Sequence, residues 1–260
     1  MWRSPSFASH MVGRLRTLLQ NRGRLPLSRE NPVKNPGCSE FEVDNWAISR
    51  FVIAKLAPNV GVHPFPLNEL MLIVAAVCRT RPGQIFDWGT NIGKSARIFY
   101  ECTTHYRIDA EIHSTDLSDD VGHAEHPHHQ RGKLVRGLPR VHLYLGDGVQ
   151  TSLEIWRASG RKPRPLFLVD GDHRYESVSR ELALIVHNVP DPAILLHDSF
   201  YQSKESGYNI GPYQAIEDLL ALMPGRFRRL HSGLGLPGMT LLYPSSGVTV
   251  PGPGKSGSDR

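Results

Sequence analysis

Five strand-like segments that each lead into an aspartate constrain the fold of this 260-residue chain more than any other feature. The segments read QIFDWGT, EIHSTDLS, VHLYLGDG, PLFLVDGDH and AILLHDS, and helical segments lie between them. Buried strands separated by helices are typical of a parallel sheet with helices on both faces. Ligands bind such sheets at the carboxyl ends of the strands, so the aspartates are expected to form one polar crevice there. They are Asp87, Asp116, Asp147, Asp170 and Asp198.

The helices and the last two strands complete the predicted fold. Leu67–Cys78 is almost wholly apolar, and Glu176–Val189 repeats apolar residues at helical spacing. Lys94–Thr103 and Pro212–Met223 are the other two helix candidates in the core. FRRLHSG and GMTLLYP follow each other without a helix, so they must be antiparallel. The sequence therefore predicts an α/β fold. It is a Rossmann-like doubly wound sheet of five parallel strands closed by a C-terminal antiparallel β-hairpin, with helices on both faces.

Charge and composition divide the chain into three parts. Residues 1–40 hold seven basic and two acidic residues, which accounts for the whole net charge of +5. They are predicted to be a basic flexible N-terminal arm, residues 41–244 the folded domain, and the Gly-, Pro- and Ser-rich residues 245–260 a disordered tail. Because the domain itself is neutral, we expect no nucleic-acid partner.

The cysteines and the longest apolar run bear on the cellular setting. Cys38, Cys78 and Cys102 form no C-x-x-C pair, which favours a reducing compartment. Leu70–Cys78 is too short to span a membrane, which needs ~20 apolar residues. A cytoplasmic protein is therefore expected, with organellar targeting by the basic arm as the alternative. A homo-oligomer is compatible with the sequence.

The loop after the first predicted strand reads DWGTNIGKS, from Asp87 to Ser95. Its glycines allow a ligand to approach the backbone. A dinucleotide-binding loop needs G-x-G-x-x-G, and a P-loop needs a glycine where this chain has Trp88, so neither pattern fits. The D-x-G-x-x-x-G spacing instead resembles motif I of the class I S-adenosylmethionine-dependent methyltransferases.

That resemblance implies S-adenosylmethionine as the cofactor. It assigns the first loop to the methionine moiety, Asp116 to the ribose hydroxyls, and Asp147 to the adenine amino group. An acid at the position of Asp116 binds the ribose of NAD as well, so it does not by itself distinguish the two cofactors. The implied cofactor-binding residues are Asp87, Gly89, Asn91, Gly93, Asp116 and Asp147.

A second motif, DGDHRYES from Asp170 to Ser177, is followed by the strand that ends in LLHDS. Together they resemble a metal-dependent subgroup, the sugar O-methyltransferases and cephalosporin hydroxylase-like proteins. The resemblance implies that Asp170 and Asp198 bind a divalent metal and that Asp172 or His173 is the catalytic base. His197 stands where the sugar enzymes have an acid, so it becomes a third metal ligand. Mg²⁺ prefers oxygen ligands, whereas an imidazole favours Mn²⁺, Fe²⁺ or Zn²⁺.

These features together indicate an S-adenosylmethionine-dependent O-methyltransferase that is assisted by a divalent metal such as Mg²⁺ or Mn²⁺. The implied acceptor is a sugar or another small hydroxylated metabolite. An alcohol does not ionise at neutral pH unaided, so a cation that lowers its pKa and a base that takes its proton are both required.

Three other interpretations remain open at the level of sequence. Asp170, His173 and His197 could form the two-histidine, one-carboxylate site of an iron-dependent hydroxylase. The same sheet could serve an NAD-linked oxidoreductase, although the loop lacks the third glycine. A non-catalytic cofactor-binding partner protein is the third, and there Asp170 and Asp172 would only cap the following helix.

Overall fold

A seven-stranded sheet forms the centre of the molecule in the computed structural model, which describes residues 27–121, 128–202, 205 and 210–245. The strand order is β3-β2-β1-β4-β5-β7-β6. The strands are β1 (Gln84–Trp88), β2 (Glu111–Asp116), β3 (Val141–Leu145), β4 (Leu166–Val169), β5 (Ala193–His197), β6 (Phe227–Ser232) and β7 (Met239–Pro244).

The direction of the strands agrees with the sequence prediction. Strands β1 to β5 are parallel, and β7 runs antiparallel to both β5 and β6. The sequence did not predict that β7, the later of the two, would be the one beside β5. Composition explains this placement: β7 (MTLLYP) is buried almost throughout, whereas β6 exposes Arg228 and Arg229 and so suits the edge of the sheet.

Helices cover both faces of the sheet, as predicted. They are α1 (Asn45–Phe51), α2 (Ala57–Val60), α3 (Leu67–Thr80), α4 (Lys94–His105), α5 (Gly148–Ala158), α6 (Tyr175–Asn188) and α7 (Gly211–Leu222), with a π-helical turn at Val52–Leu56. No helix in the ranges that the structure describes is long and apolar enough to cross a bilayer. Helix α5 was not predicted, although the spacing of Val149, Leu153 and Trp156 is helical and all three are buried.

The sheet separates two apolar layers. Helices α1, α3 and α4 pack on one face with Ile85 of β1, while α5, α6 and α7 pack on the other with Phe86. Neighbouring residues of one strand thus point into different layers, as the pleat requires. Both faces of the central strands are buried, which explains why their sequences do not alternate.

Part of the predicted N-terminal arm contacts the folded domain. Val33 is buried, it bridges Val43, and the backbone oxygens of Asn35 and Cys38 accept hydrogen bonds from the Arg79 side chain of α3. These residues of the predicted arm therefore contact the domain, and the boundary at residue 41 stays a prediction. Residues 1–26 of the predicted arm and residues 246–260 of the predicted tail lie outside the described residues.

Candidate functional site

The loop after β1 contains three residues with positive φ. Gly89 and Gly93 both have φ of +87°, and Asn91 between them has φ of +44°. A Cβ on Gly89 would lie 2.4 Å from the backbone oxygen of Asp170, so the loop after β1 directly adjoins the end of β4. Residue 89 must be a glycine because its φ is positive and because a Cβ would collide with Asp170.

Asp87 is a fully buried carboxylate at the start of this loop. Ser114 Oγ donates a hydrogen bond to its Oδ2 at 2.6 Å, and Oδ1 makes no hydrogen bond within the described part of the chain. Burial raises the pKa of Asp87 to about 7, although the Ser114 hydrogen bond opposes the rise. A buried acceptor without a donor fits a site whose ligand brings the donor, as the amino group of methionine would.

Asp116, at the end of β2, is held by several donors. Its Oδ2 accepts hydrogen bonds from the Asn91 backbone N at 3.2 Å and from Arg131 Nε at 3.0 Å. Its Oδ1 accepts one from the Leu117 backbone N at 2.9 Å. The carboxylate thus connects the loops after β1 and β2. The sequence analysis did not identify Arg131, which also pairs with Asp119.

Asp147 initiates α5. Its Oδ1 accepts a hydrogen bond from the Gln150 backbone N at 3.0 Å, and its Oδ2 pairs with Arg180 at 2.6 Å. Partial burial raises its pKa, but these partners outweigh it and the pKa is lowered overall. The residue therefore has a structural role in capping α5, and its predicted contact with adenine stays a prediction.

The three predicted metal ligands come together. One ligand atom each from Asp170, His197 and Asp198 lie within 4.8 Å of one another at the ends of β4 and β5. His197 Nδ1 is 2.9 Å from Asp170 Oδ1 and 3.5 Å from Asp198 Oδ2. Two carboxylates and an imidazole at this spacing form a donor set that fits a divalent cation accepting nitrogen as well as oxygen.

Glu69 of α3 joins this group and was not predicted. Its side chain is fully buried, with Oε2 3.0 Å from His197 Nε2. Burial lowers the pKa of His197, but the Asp170 charge and the hydrogen bonds to carboxylates raise it well above its usual value. The only sequence signal was an acid in a largely apolar helix, Leu67–Thr80, and nothing linked it to a residue 128 positions away.

The two candidate bases occupy different environments. Asp172 accepts hydrogen bonds from Arg174 Nε at 2.8 Å and from Ser177 Oγ at 2.6 Å, which lower its pKa to about 2. His173 lies in the cluster, with Nδ1 3.1 Å from Asp198 Oδ2. Burial lowers the pKa of His173, but the neighbouring carboxylates raise it overall. The prediction of Asp172 as a base does not suit a carboxylate engaged in this way, because its oxygens stabilise the turn before α6.

Comparison with known proteins supports the fold. An O-methyltransferase from Bacillus cereus in complex with S-adenosylhomocysteine is 16% identical, with 76% of this chain and 90% of that chain covered and a TM-score of 0.50. The chain shares the fold of that O-methyltransferase.

Two further structures cover more of the chain at slightly lower TM-scores. The Podospora anserina methyltransferase PaMTH1 with bound S-adenosylhomocysteine is 14% identical and covers 94% of this chain and 99% of its own, with a TM-score of 0.49. CalS11, a TDP-rhamnose 3′-O-methyltransferase of calicheamicin biosynthesis, is 17% identical and covers 93% and 96%, also with a TM-score of 0.49. No protein-family model and no curated protein sequence matches the chain.

Proposed function

We propose that the protein is an S-adenosylmethionine-dependent O-methyltransferase that uses a divalent cation. The observation that carries the proposal is the contact between the loop after β1 and the end of β4. Gly89, in the loop expected to bind the cofactor, abuts the backbone of Asp170, which belongs to the acid–histidine cluster. A methyl donor in the loop would therefore lie beside the groups able to activate an acceptor hydroxyl.

The cofactor contacts follow from the geometry of the first loop. Gly89 and Gly93 give the loop its positive-φ conformation, and Asp87 Oδ1 would accept a hydrogen bond from the methionine amino group. The carboxylate of Asp116 would accept hydrogen bonds from the ribose hydroxyls. The Asn91 backbone N, which bonds Asp116 at 3.2 Å, keeps it in position.

The acceptor side is assigned to the cluster. Asp170, His197 and Asp198 are the residues that would hold the cation. When bound, a divalent cation lowers the pKa of the acceptor hydroxyl and orients its oxygen. His173 then takes the proton, because its ring lies beside Asp198 whereas Asp172 is engaged by Arg174.

The acceptor proposed is a polar, hydroxylated molecule such as a sugar, whose hydroxyl the cluster would activate. An open cavity lies between the starts of α6 and α7, immediately after His173 in the chain. Its lining includes Arg174, Tyr175 and Gln214, whose side chains can bond hydroxyl groups.

The first test is calorimetric titration of the full chain with S-adenosylhomocysteine. We expect binding that Asp116→Asn weakens, because an amide cannot accept two ribose hydroxyls as a carboxylate does. Labelled S-adenosylmethionine is then supplied with a panel of sugars and small alcohols, with and without a chelator. Absence of S-adenosylhomocysteine binding would overturn the proposal. Turnover that persists in the presence of the chelator would contradict only the role of the cation.

The iron-hydroxylase alternative has less support from the arrangement. The ligand atoms that converge among the described residues come from two carboxylates and one histidine, not from two histidines and one carboxylate. Oxygen consumption by the iron-loaded protein without a methyl donor would favour that alternative.

A further inference from the structure

Ser114 is a polar residue in the buried part of β2. It is 0% exposed, and the parallel register places it beside Asp87 of β1. Its hydroxyl has two partners, Asp87 Oδ2 at 2.6 Å and Thr90 Oγ1 at 2.8 Å. Thr90 is itself buried in the loop after β1. The three side chains thus form one buried polar chain that connects this loop, β2 and the carboxylate.

The ionised form of Asp87 fixes the direction of these hydrogen bonds. An ionised carboxylate only accepts, so the Ser114 hydroxyl donates its single proton to Asp87 Oδ2. Ser114 Oγ can then only accept from Thr90, whose hydroxyl is the donor. Donors linked in this way polarise one another, which strengthens the bond to the carboxylate.

The chain holds one oxygen of Asp87 and leaves the other to a ligand. Oδ2 accepts from Ser114, whereas Oδ1 is buried and has no hydrogen-bond partner among the described residues. A carboxylate that is anchored through one oxygen keeps the direction of the other. Supporting hydrogen bonds of this kind hold binding groups in their productive geometry.

We propose that Ser114 is a positioning residue for cofactor binding, which anchors Asp87 through Oδ2 so that Oδ1 receives the amino group of the methionine moiety. The inference rests on the proposed function, since it concerns the cofactor of that reaction. Ser114 acts through Asp87 and has no contact with the cofactor of its own in this assignment.

The charges around Asp87 make cofactor binding depend on pH. Burial is the largest cause that raises its pKa, to about 7, and the carboxylates of Asp170 and Asp116 add to the rise. The hydroxyls of Ser114 and Ser95 oppose it. The ammonium group of the methionine moiety pairs with the ionised carboxylate, so affinity falls as the pH drops below the pKa of Asp87.

The test compares the full chain with its Ser114→Ala variant in calorimetric titration with S-adenosylhomocysteine at pH 6 and pH 8. A chelator is present throughout, so that no cation binds beside Asp170. Without the serine hydroxyl, Asp87 loses its anchor and its pKa rises further. We expect affinity to fall about tenfold at pH 6 and less than about threefold at pH 8, where ionisation is favoured in both proteins. A merely structural role would lower affinity by the same factor at both pH values.

Ser152→Ala is the matched control. Ser152 is also a fully buried serine, whose Oγ accepts from Trp88 Nε1 at 2.8 Å and donates to the Gly148 backbone O at 2.7 Å. Its replacement removes two buried hydrogen bonds, as Ser114→Ala does, without touching Asp87. We expect the two variants to lose similar thermal stability and only Ser114→Ala to lose affinity. Equal losses of affinity, a loss that is the same at both pH values, or no loss in Ser114→Ala would each overturn the inference.

Thr90→Val covers the case in which Ser114→Ala does not fold. Valine has nearly the shape of threonine without the hydroxyl, so Ser114 still reaches Asp87 but loses its own donor. We expect a smaller loss of affinity, again larger at pH 6 than at pH 8, and unchanged affinity would contradict the inference. Failure of the wild-type chain to bind S-adenosylhomocysteine would overturn the proposed function and this inference with it. Wild-type binding that neither variant weakens would overturn the inference alone.

Discussion

Asp172 and His173 are adjacent in the chain, yet their hydrogen bonds give them different functions. Asp172 is held by Arg174 and Ser177, whereas His173 contacts Asp198. We expect Asp172→Ala to lower the free energy of unfolding by about 1–2 kcal/mol through lost hydrogen bonds. Its kcat should remain within about threefold of wild type, because the base is intact.

His173→Gln is the matched variant. Loss of a general base lowers kcat by roughly 10²- to 10⁴-fold, with little change in S-adenosylhomocysteine affinity. Initial rates with the acceptor found in the substrate screen, together with urea denaturation, measure both effects. If Asp172→Ala abolished turnover and His173→Gln did not, the assignment of the base would be reversed.

Asp87 provides a second test at this scale, through the pH dependence of stability. Burial raises its pKa from 3.8 to about 7, so the folded state favours the protonated form. The free energy of unfolding therefore falls as the pH rises from about 4 to about 7, because ionisation is easier in the unfolded chain. Asp87→Asn removes this loss.

We expect the melting temperature of Asp87→Asn, measured without ligand, to exceed that of wild type by a few degrees more at pH 8 than at pH 5. The comparison between the two proteins cancels the titration of other groups. A difference that did not change with pH would show that Asp87 titrates normally in the folded state.

The resemblance assigned Asp170, His197 and Asp198 to one metal site. Their ligand atoms converge because β4 and β5 are adjacent parallel strands, and their binding of a metal stays a prediction. Glu69 could not be predicted, since it reaches the site from a helix packed across the sheet end. The separation of Glu69 and His197 along the chain does not indicate that the two side chains are in contact.

At the scale of elements, two glycines in neighbouring loops make a matched pair. A Cβ on Gly89 would collide with the backbone oxygen of Asp170. A residue with a side chain would also have to adopt the φ of +87° that Gly89 has. A Cβ on Gly171, in the loop after β4, meets nothing within 4 Å among the described residues, and no positive φ is required. Replacing either glycine by alanine adds one methyl group at the contact between the loop after β1 and the loop after β4.

We expect Gly89→Ala to separate the loop after β1 from the end of β4 and to lower S-adenosylhomocysteine affinity at least about tenfold, with a loss of 1 kcal/mol or more in the free energy of unfolding. Gly171→Ala should leave both quantities close to wild type. Calorimetric titration and thermal unfolding of the two variants test this. Equal affinities would show that the loop tolerates displacement and that its geometry does not control binding.

The elements themselves were predicted to different degrees, for physical reasons. Strands β1, β4 and β5 were recognisable because both of their faces are buried and their sequences are mostly apolar. The position of β7 inside the sheet follows from the burial of the whole β7 strand. That burial is known only once the sheet is assembled. Residues 27–40 have the polar, proline-containing composition of an arm, yet a few contacts such as Arg79 with Asn35 attach them to α3.

At the scale of the whole molecule, the excess positive charge and the candidate site lie in separate parts of the chain. Residues 1–26 contain five arginines and no acid, so residues 27–260 hold 30 − 5 = 25 basic and 25 acidic groups and have no formal net charge. The folded domain begins within this neutral part, and two of its buried acids, Asp87 and Asp198, lie at the ends of strands. Electrostatic attraction to an anionic surface should therefore depend on residues 1–26 alone, and cofactor binding should not.

A variant that lacks residues 1–26 tests this separation. We expect it to bind S-adenosylhomocysteine within about twofold of the full chain but to lose binding to vesicles that contain anionic lipid. Each arginine near such a surface contributes about 1 kcal/mol at low salt, so five account for appreciable binding by the full chain that high salt should abolish.

The matched control keeps the length and removes only the charge, with glutamine in place of Arg3, Arg14, Arg16, Arg22 and Arg24. It should behave like the truncated chain in vesicle sedimentation, because the attraction is Coulombic and does not require the segment as such. Undiminished vesicle binding by this control would assign the attraction to other groups. Weakened cofactor binding in the truncated chain alone would show that residues 1–26 contribute to the site through contacts other than charge.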